Sequence, residues 1–225
     1  MSFVFASQSL EHLSLEELTK ITIEQGLPQG YVASGCQDQE GFMWFGTHDG
    51  LCRYDGYEFL VFRHDPFDPF SIAHNSILQI VKVGAFLCVA NYSGIDLLDP
   101  ATQRFYHLTS KPAFVSSDGN QVLYFLTQQH LQQLTLTPEV IAQLYSANAE
   151  AQSVPTEALL SGDNWTTMCL SEDKKVLWLL KQDGRELFRL DLTTRQLQQF
   201  PTPEQLRKIT TDGANGVWLC GNHTL

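Results

Sequence analysis

The chain has 225 residues, 43% of them apolar and 17% charged, with a formal net charge of −11. The apolar share excludes wholesale disorder, and the acidity excludes general attraction to nucleic acid or anionic lipid as its main business. No apolar run approaches the roughly 18 residues of a membrane span, and the absence of any Cys-x-x-Cys pair excludes the common structural zinc motifs.

Met1 to Gln8 lacks the basic start of a signal peptide and is too short to be one; its apolar run Phe3-Val4-Phe5-Ala6 fits the remnant of such a leader. Ser14-Leu15-Glu16-Glu17 is a helix capping box. Tyr31 to Cys36 reads as an inner strand. Phe42 to Phe45 is a strand dominated by aromatic residues. Thr47-His48-Asp49-Gly50 is a hairpin turn carrying an Asp-Gly pair, and Asp55-Gly56 is a second turn. Tyr57 to Phe62 alternates as an outer strand.

The same unit recurs. Gly94 lies 44 residues after Gly50, Leu97-Leu98-Asp99 follows as Arg53-Tyr54-Asp55 did, and Cys88 falls where Trp44 stood. Ser76 to Val81 supplies the inner strand and Gln103 to Leu108 the outer one. A third unit is eroded: Val122 to Thr127 and Leu131 to Leu136 read as strands, but His130 replaces the turn glycine. Thr137-Pro138-Glu139 then opens a helix to about Ala149, with a cap residue and proline in the first turn. Asn164 to Leu170, Val176 to Leu180, Leu187 to Asp191 and Gln196 to Phe200 form a fourth unit around Asp183-Gly184. Thr202 to Leu206 has the composition of one helical turn. A fifth unit begins at Asp212-Gly213 and includes Val217-Trp218-Leu219-Cys220-Gly221.

Four short strands in a repeat of about 40 residues is the period of a propeller blade. The expected fold is all-β: a β-propeller fragment of about four and a half four-stranded blades spanning 1–225. The blades fall at about 30–70, 75–110, 113–150, 160–200 and an incomplete 205–225. Trp44, Trp178 and Trp218 are expected at equivalent core positions. Most of the five cysteines, Cys36, Cys52, Cys88, Cys169 and Cys220, sit within apolar strand-like runs, and buried thiols rather than disulfides are expected.

From Trp44-Phe45-Gly46-Thr47 through Leu51-Cys52-Arg53-Tyr54-Asp55-Gly56 the sequence resembles the two-component regulator propeller repeat. The resemblance extends upstream to Gln25-Gly26-Leu27-Pro28-Gln29 and downstream to Arg63-His64-Asp65-Pro66-Phe67-Asp68-Pro69-Phe70-Ser71 and Asn75-Ser76-Ile77. It is close over about 24–110, weak over 111–159 and confined to pattern over 160–221. Cys52 and Cys88 depart from the asparagine and tryptophan usual in the repeat. The resemblance implies a periplasmic sensor region of a bacterial hybrid sensor kinase or related signalling protein. Such a region attaches to the membrane only through the parent protein and passes its signal to an output module not seen here. The chain stops within a blade, as a truncation or proteolytic piece would. Ile21-Thr22-Ile23 is a strand of the kind that closes a propeller ring; with that blade missing, open blade edges predict self-association or dimerisation.

No chemistry-bearing motif competes with this reading. The seven histidines show no His-x-x-x-His or His-Glu-x-x-His spacing, and there is no Gly-x-Ser-x-Gly elbow or phosphate loop. His64-Asp65, Asp68 and His74 share a loop whose prolines mark turns. No catalytic residue, metal or cofactor is expected. If a small ligand binds, loops at one end of the blades hold it, with Thr47, His48, Asp49, Asn75, Asn91 and Tyr92 as candidates. Their hydroxyl, amide and ring groups suit an oligosaccharide or another hydroxyl-rich molecule. A stand-alone protein-interaction propeller is the alternative, and a propeller-fold glycan lyase a further one.

Overall fold

A computed structural model describes residues 3–5, 19–127, 129–146, 154–162, 164–202, 204–212 and 216–221. It begins with two short paired strands, β1 (Phe3–Phe5) and β2 (Thr19–Ile21). Sheet one contains β3 (Val32–Gln37), β4 (Met43–Thr47), β5 (Gly50–Tyr54) and β6 (Phe59–Phe62). Sheet two contains β7 (Ile77–Val83), β8 (Phe86–Asn91), β9 (Gly94–Asp99) and β10 (Arg104–Thr109). Sheet three contains β11 (Phe114–Ser117), β12 (Val122–Leu126), β13 (His130–Thr135) and β14 (Glu157–Ser161). Sheet four contains β15 (Trp165–Leu170), β16 (Val176–Lys181), β17 (Glu186–Asp191) and β18 (Leu197–Pro201). A last hairpin pairs β19 (Leu206–Thr211) with β20 (Val217–Gly221). The four-stranded sheets are antiparallel meanders in sequence order. The first strands of successive sheets pack side by side, β3 on β7, β7 on β11, β11 on β15 and β15 on β19. That arrangement is the propeller expected from the repeat.

The core consists of layers between blades, because a single four-stranded sheet cannot bury its own apolar face. Trp44 and Leu51 of sheet one pack on Ile77, Leu87 and Leu98 of sheet two. Cys88, Ile95 and Leu97 project from the other face of sheet two onto Leu123, Phe125 and Leu134 of sheet three. Sheet three in turn meets sheet four through Tyr124, Leu126, Met168 and Leu179. Covered on both faces, β8 and β9 are buried at every residue, with Phe86 to Ala90 a continuous apolar run and Asp96 and Asp99 the buried charged residues of β9. The fit between blades is tight at Gly46, where a Cβ would stand 2.5 Å from Ile77 Cγ2. At Gly94, φ is +154° and a Cβ would collide with the Thr109 carbonyl oxygen, so this hairpin turn admits only glycine.

Asp38 links β3 to β4 by accepting from the Phe42 amide and from Trp44 Nε1, at 3.0 and 2.7 Å. Asp118 and Asp212 accept from the Val122 and Gly216 amides in the corresponding turns, at 2.9 and 3.0 Å. In sheet four Ser171 takes this place, its Oγ accepting from Val176 N at 3.0 Å. The carboxylate of this turn, Asp173, accepts from Ser171 Oγ at 2.7 Å instead, and the buried Nε1 of Trp178 has no hydrogen-bond partner among the described residues.

Several expectations need correction. The outer strand of the third blade is β14, beyond the expected end near 150. The chain first makes helix α1 (Pro138–Ser146), whose Val140 and Leu144 are buried against sheets two and three. The Tyr145 hydroxyl in α1 donates to Asp99 at 3.0 Å, fastening the helix to sheet two. Trp218 has the register of Trp44 but is 67% exposed, because no described strand covers β20. Cys220 is exposed for the same reason, and Cys36 and Cys169 are only half-buried. Burial pushes the Cys36 and Cys52 thiols up to about 12 and Cys169 to about 11, so these groups stay protonated and unreactive. With no last blade to complete, the strand that ends at Ile21 pairs elsewhere, as expected, with Phe3–Phe5. Of the expected turn Thr202 to Leu206, the described residues are not helical: Thr202 Oγ1 donates to the Gly184 carbonyl at 3.0 Å and Leu206 opens β19. The capping box at Ser14 to Glu17 lies outside the described residues.

Candidate functional site: the loop face over the first two blades

Turns joining second to third strands, and links joining one blade to the next, emerge at the same end of every sheet. Over blades one and two this end gathers all six expected site residues, but in different roles. Thr47 and Asn91 occupy equivalent positions at the ends of β4 and β8, and both are fully buried. Thr47 Oγ1 donates to the Gly50 carbonyl at 2.9 Å and accepts from Asp49 N at 3.0 Å. Asn91 Oδ1 accepts from the Ser93 and Gly94 amides at 2.9 and 3.0 Å, while Nδ2 donates to Asp96 Oδ2 at 2.8 Å. Both side chains therefore hold turns.

Asn75 is half-buried and fixes the long link between blades. Its Oδ1 accepts from His64 N at 2.6 Å, and its carbonyl accepts from Gly50 N at 2.8 Å. Asp49 is paired with Arg63 at 2.9 Å across a half-exposed surface, so its charge is already met. His48 and Tyr92 remain open to solvent. The His48 ring stacks on Tyr31 with centroids 4.7 Å apart, and its Nδ1 lies 2.5 Å from Ser76 Oγ. Tyr92 meets the His74 ring edge at 5.9 Å. His74 Nδ1 accepts from the Ser76 amide at 2.9 Å, which places the proton of the neutral ring on Nε2.

Ser76 thus joins two aromatic pairs, Tyr31 with His48 and His74 with Tyr92, into one strip. Tyr31 and Tyr92 are 50% and 55% exposed, which leaves ring faces open beside imidazole nitrogens. Apolar ring faces with nearby polar tips suit the CH faces and hydroxyls of a sugar. Among the described residues no carboxylate bonds the second imidazole nitrogen of His48, so the Ser76–His48 contact stands there without the third member of a Ser-His-Asp triad. The sequence does not single out Tyr31 and Ser76 as site residues, because they meet His48 from positions 17 and 28 residues away, and it groups His74 with His64, Asp65 and Asp68 rather than with Tyr92.

A buried carboxylate supports this face from below. Asp96 accepts from Ala73 N at 2.9 Å, from Asn91 and from His107 Nδ1 at 2.6 Å. The Asp96 hydrogen bond raises the His107 pKa above its ordinary 6.5, against the opposing effect of burial. His107 Nε2 meets the Pro69 carbonyl at 3.2 Å, so the pair ties the 63–76 link to blade two.

The second concavity lies along the first strands, a cleft of about 710 Å³ bordered by β3, β7, β11, β15 and β19. Ser34, Gln79, Phe114, Thr167 and Lys208 hold equivalent register positions on these strands. A β-bulge precedes this position in four of the five strands, at Val32/Ser34, Ile77/Gln79, Trp165/Thr167 and Leu206/Lys208.

No protein-family model matches the chain. Over 48 residues, 21% of this chain and 4% of the relative, it is 44% identical to histidine kinase P4 of Formosa agariphila. The extracellular domain of a hybrid two-component system from B. thetaiotaomicron superposes with a TM-score of 0.68 at 22% identity, covering 89% of this chain and 29% of that one. That of a one-component system from the same organism gives 0.65 at 18%, covering 88% and 29%. PorZ, a surface component of the type-IX secretion system of Porphyromonas gingivalis, gives 0.66 at 16%, covering 91% and 27%. These likenesses establish the propeller fold, and the chain spans less than a third of each structure. No described helix is long and apolar enough to cross a membrane.

Proposed function

We propose that this chain is a ligand-sensing segment of a bacterial transmembrane signalling protein, a non-catalytic propeller of the periplasm that passes its signal to a separate output module. The observation that carries the reading is the strip Tyr31–His48–Ser76–His74–Tyr92, open to solvent and anchored by buried turn residues. The histidine kinase match and the extracellular sensor domains of similar fold support it. The ligand class is an oligosaccharide or similar hydroxyl-rich molecule, stacked on the tyrosines and bonded by the imidazoles. Calorimetry against a panel of neutral oligosaccharides tests this. Binding by one panel member, weakened at least about tenfold in Tyr31→Ala and Tyr92→Ala, is the expected result. Absence of binding across the panel, or binding unchanged in both variants, overturns it.

A second reading, association between copies, is favoured by one observation. The β20 strand exposes Trp218 and Leu219 beside the open edge of a two-stranded sheet. Light scattering that shows a dimer, lost in Trp218→Lys, supports that reading; a monomer at all concentrations removes it.

A further inference from the structure

The strands bordering the cleft are joined by a side-chain device that is present at two junctions and missing at the next two. Gln79 Nε2 donates to the Val115 carbonyl at 2.8 Å, and Gln79 Oε1 accepts from the Val115 amide at 3.2 Å. The primary amide of Gln79 thereby pairs with a peptide group as another strand would. One junction earlier, Ser34 Oγ accepts from the Ile80 amide at 3.0 Å and faces the Ile80 carbonyl. In each case the residue at the post-bulge position bonds the main chain one place further along the next blade's inner strand.

Continued around the axis, the rule assigns Phe114 to Met168 and Thr167 to Ile209. Phe114 carries no polar atom, and Thr167 makes no side-chain bond to Ile209. The register of Met168 is that of Ile80 and Val115, whose amides and carbonyls point away from their own sheets. Met168 and Ile209 therefore direct the same groups toward the cleft, and no side chain of the described residues takes them. Both residues border the cleft, as do Phe114, itself 47% exposed, and Lys208. Lys208 has no ion-pair partner among the described residues. A protein edge strand with free peptide groups, a ring beside it and a cation nearby matches the demands of an extended peptide.

We propose that this cleft binds a short extended peptide with a free carboxylate, pairing one of its peptide groups with the main chain of Met168 as Gln79 pairs with Val115. Phe114 covers the plane of the bound amide, and Lys208 meets the carboxylate. The site is separate from the loop-face strip and does not depend on the sugar reading.

Phe114→Gln tests the proposal, because it supplies Met168 with the cap that Gln79 gives Val115. N-acetyl-glycylglycine, its C-terminal amide and N-acetylglucosamine are titrated by calorimetry against the whole chain. The expected result is binding of the peptide acid, weakened about tenfold or more in Phe114→Gln. In Lys208→Ala the preference for the acid over its amide disappears, a readout that stands even if Phe114→Gln fails to fold. Tyr31→Ala and Tyr92→Ala leave peptide binding unchanged, which separates this site from the loop face. No peptide binding, equal binding by Phe114→Gln, an unaltered acid preference in Lys208→Ala, or competition of N-acetylglucosamine with the bound peptide would overturn the proposal.

Discussion

Blades one and two differ from blades three and four in how completely they use their polar groups. Over the first pair, Thr47, Asn75, Asn91 and Asp96 each bond defined partners, and Ser34 and Gln79 bond the next blade's main chain. Over the second pair, Thr127 repeats the Thr47 turn, its Oγ1 donating to the His130 carbonyl at 3.2 Å, but neither Phe114 nor Thr167 bonds the next blade's main chain through its side chain. Phe114 stands in place of a glutamine, and Trp178 lacks the carboxylate that Asp38 gives Trp44. The motif residues that repeat best, such as Trp44, Gly50 and Gly94, build the scaffold.

The largest effect expected from breaking this contrast concerns the tryptophans. Trp44→Ala removes a fully buried ring between two blades and its bond to Asp38, and should cost about 3–5 kcal/mol in denaturant unfolding. Trp218→Ala, at the same register but exposed, should change stability by less than about 0.5 kcal/mol. Equal losses would mean that burial between blades is not what stabilises the repeat.

The sequence carried the scaffold well and the site poorly, for identifiable reasons. Gly50, Gly94 and Gly184 all have positive φ, a demand that a sequence displays openly as glycine beside turn residues. The equivalent positions of Trp44 and Cys88 follow from the same spacing, and the ladders place them there. By contrast, the third blade's end near 150 falls short of β14 because helix α1 separates that strand from β13, so the repeat period breaks inside the blade. Thr47 and Asn91 read as ligand groups since turn and binding residues share a composition; only burial shows that they serve the turn. The His48–Ser76 contact spans 28 residues and the Gln79–Val115 pair 36, distances at which no local pattern operates.

A smaller effect is expected at the Gln79–Val115 junction. Gln79→Leu keeps the bulk but leaves the Val115 amide and carbonyl unpaired, costing about 1–2 kcal/mol. Thr167→Leu, at the equivalent post-bulge position without such a bond, should cost less than Gln79→Leu in the same denaturation experiment.

The smallest effect is a pH dependence from His107. Its folded pKa is raised by Asp96 above the ordinary 6.5, so the folded state holds the proton more tightly than the unfolded chain. That contribution is fully present below about 6.5 and is lost as pH rises through the folded value. Wild-type melting temperature should therefore fall on raising the pH from about 6 toward 8, relative to His107→Gln. Parallel profiles for the two proteins would show that the His107–Asp96 contact adds nothing.

The most direct test of the contrast between the two halves is amide hydrogen exchange at four equivalent positions, Ile80, Val115, Met168 and Ile209. With Ser34 and Gln79 as acceptors, the Ile80 and Val115 amides should exchange slowly, while the Met168 and Ile209 amides exchange fast in the free protein. Equal protection at all four would contradict the account, because the cleft would then hold no unpaired main chain for a peptide to join.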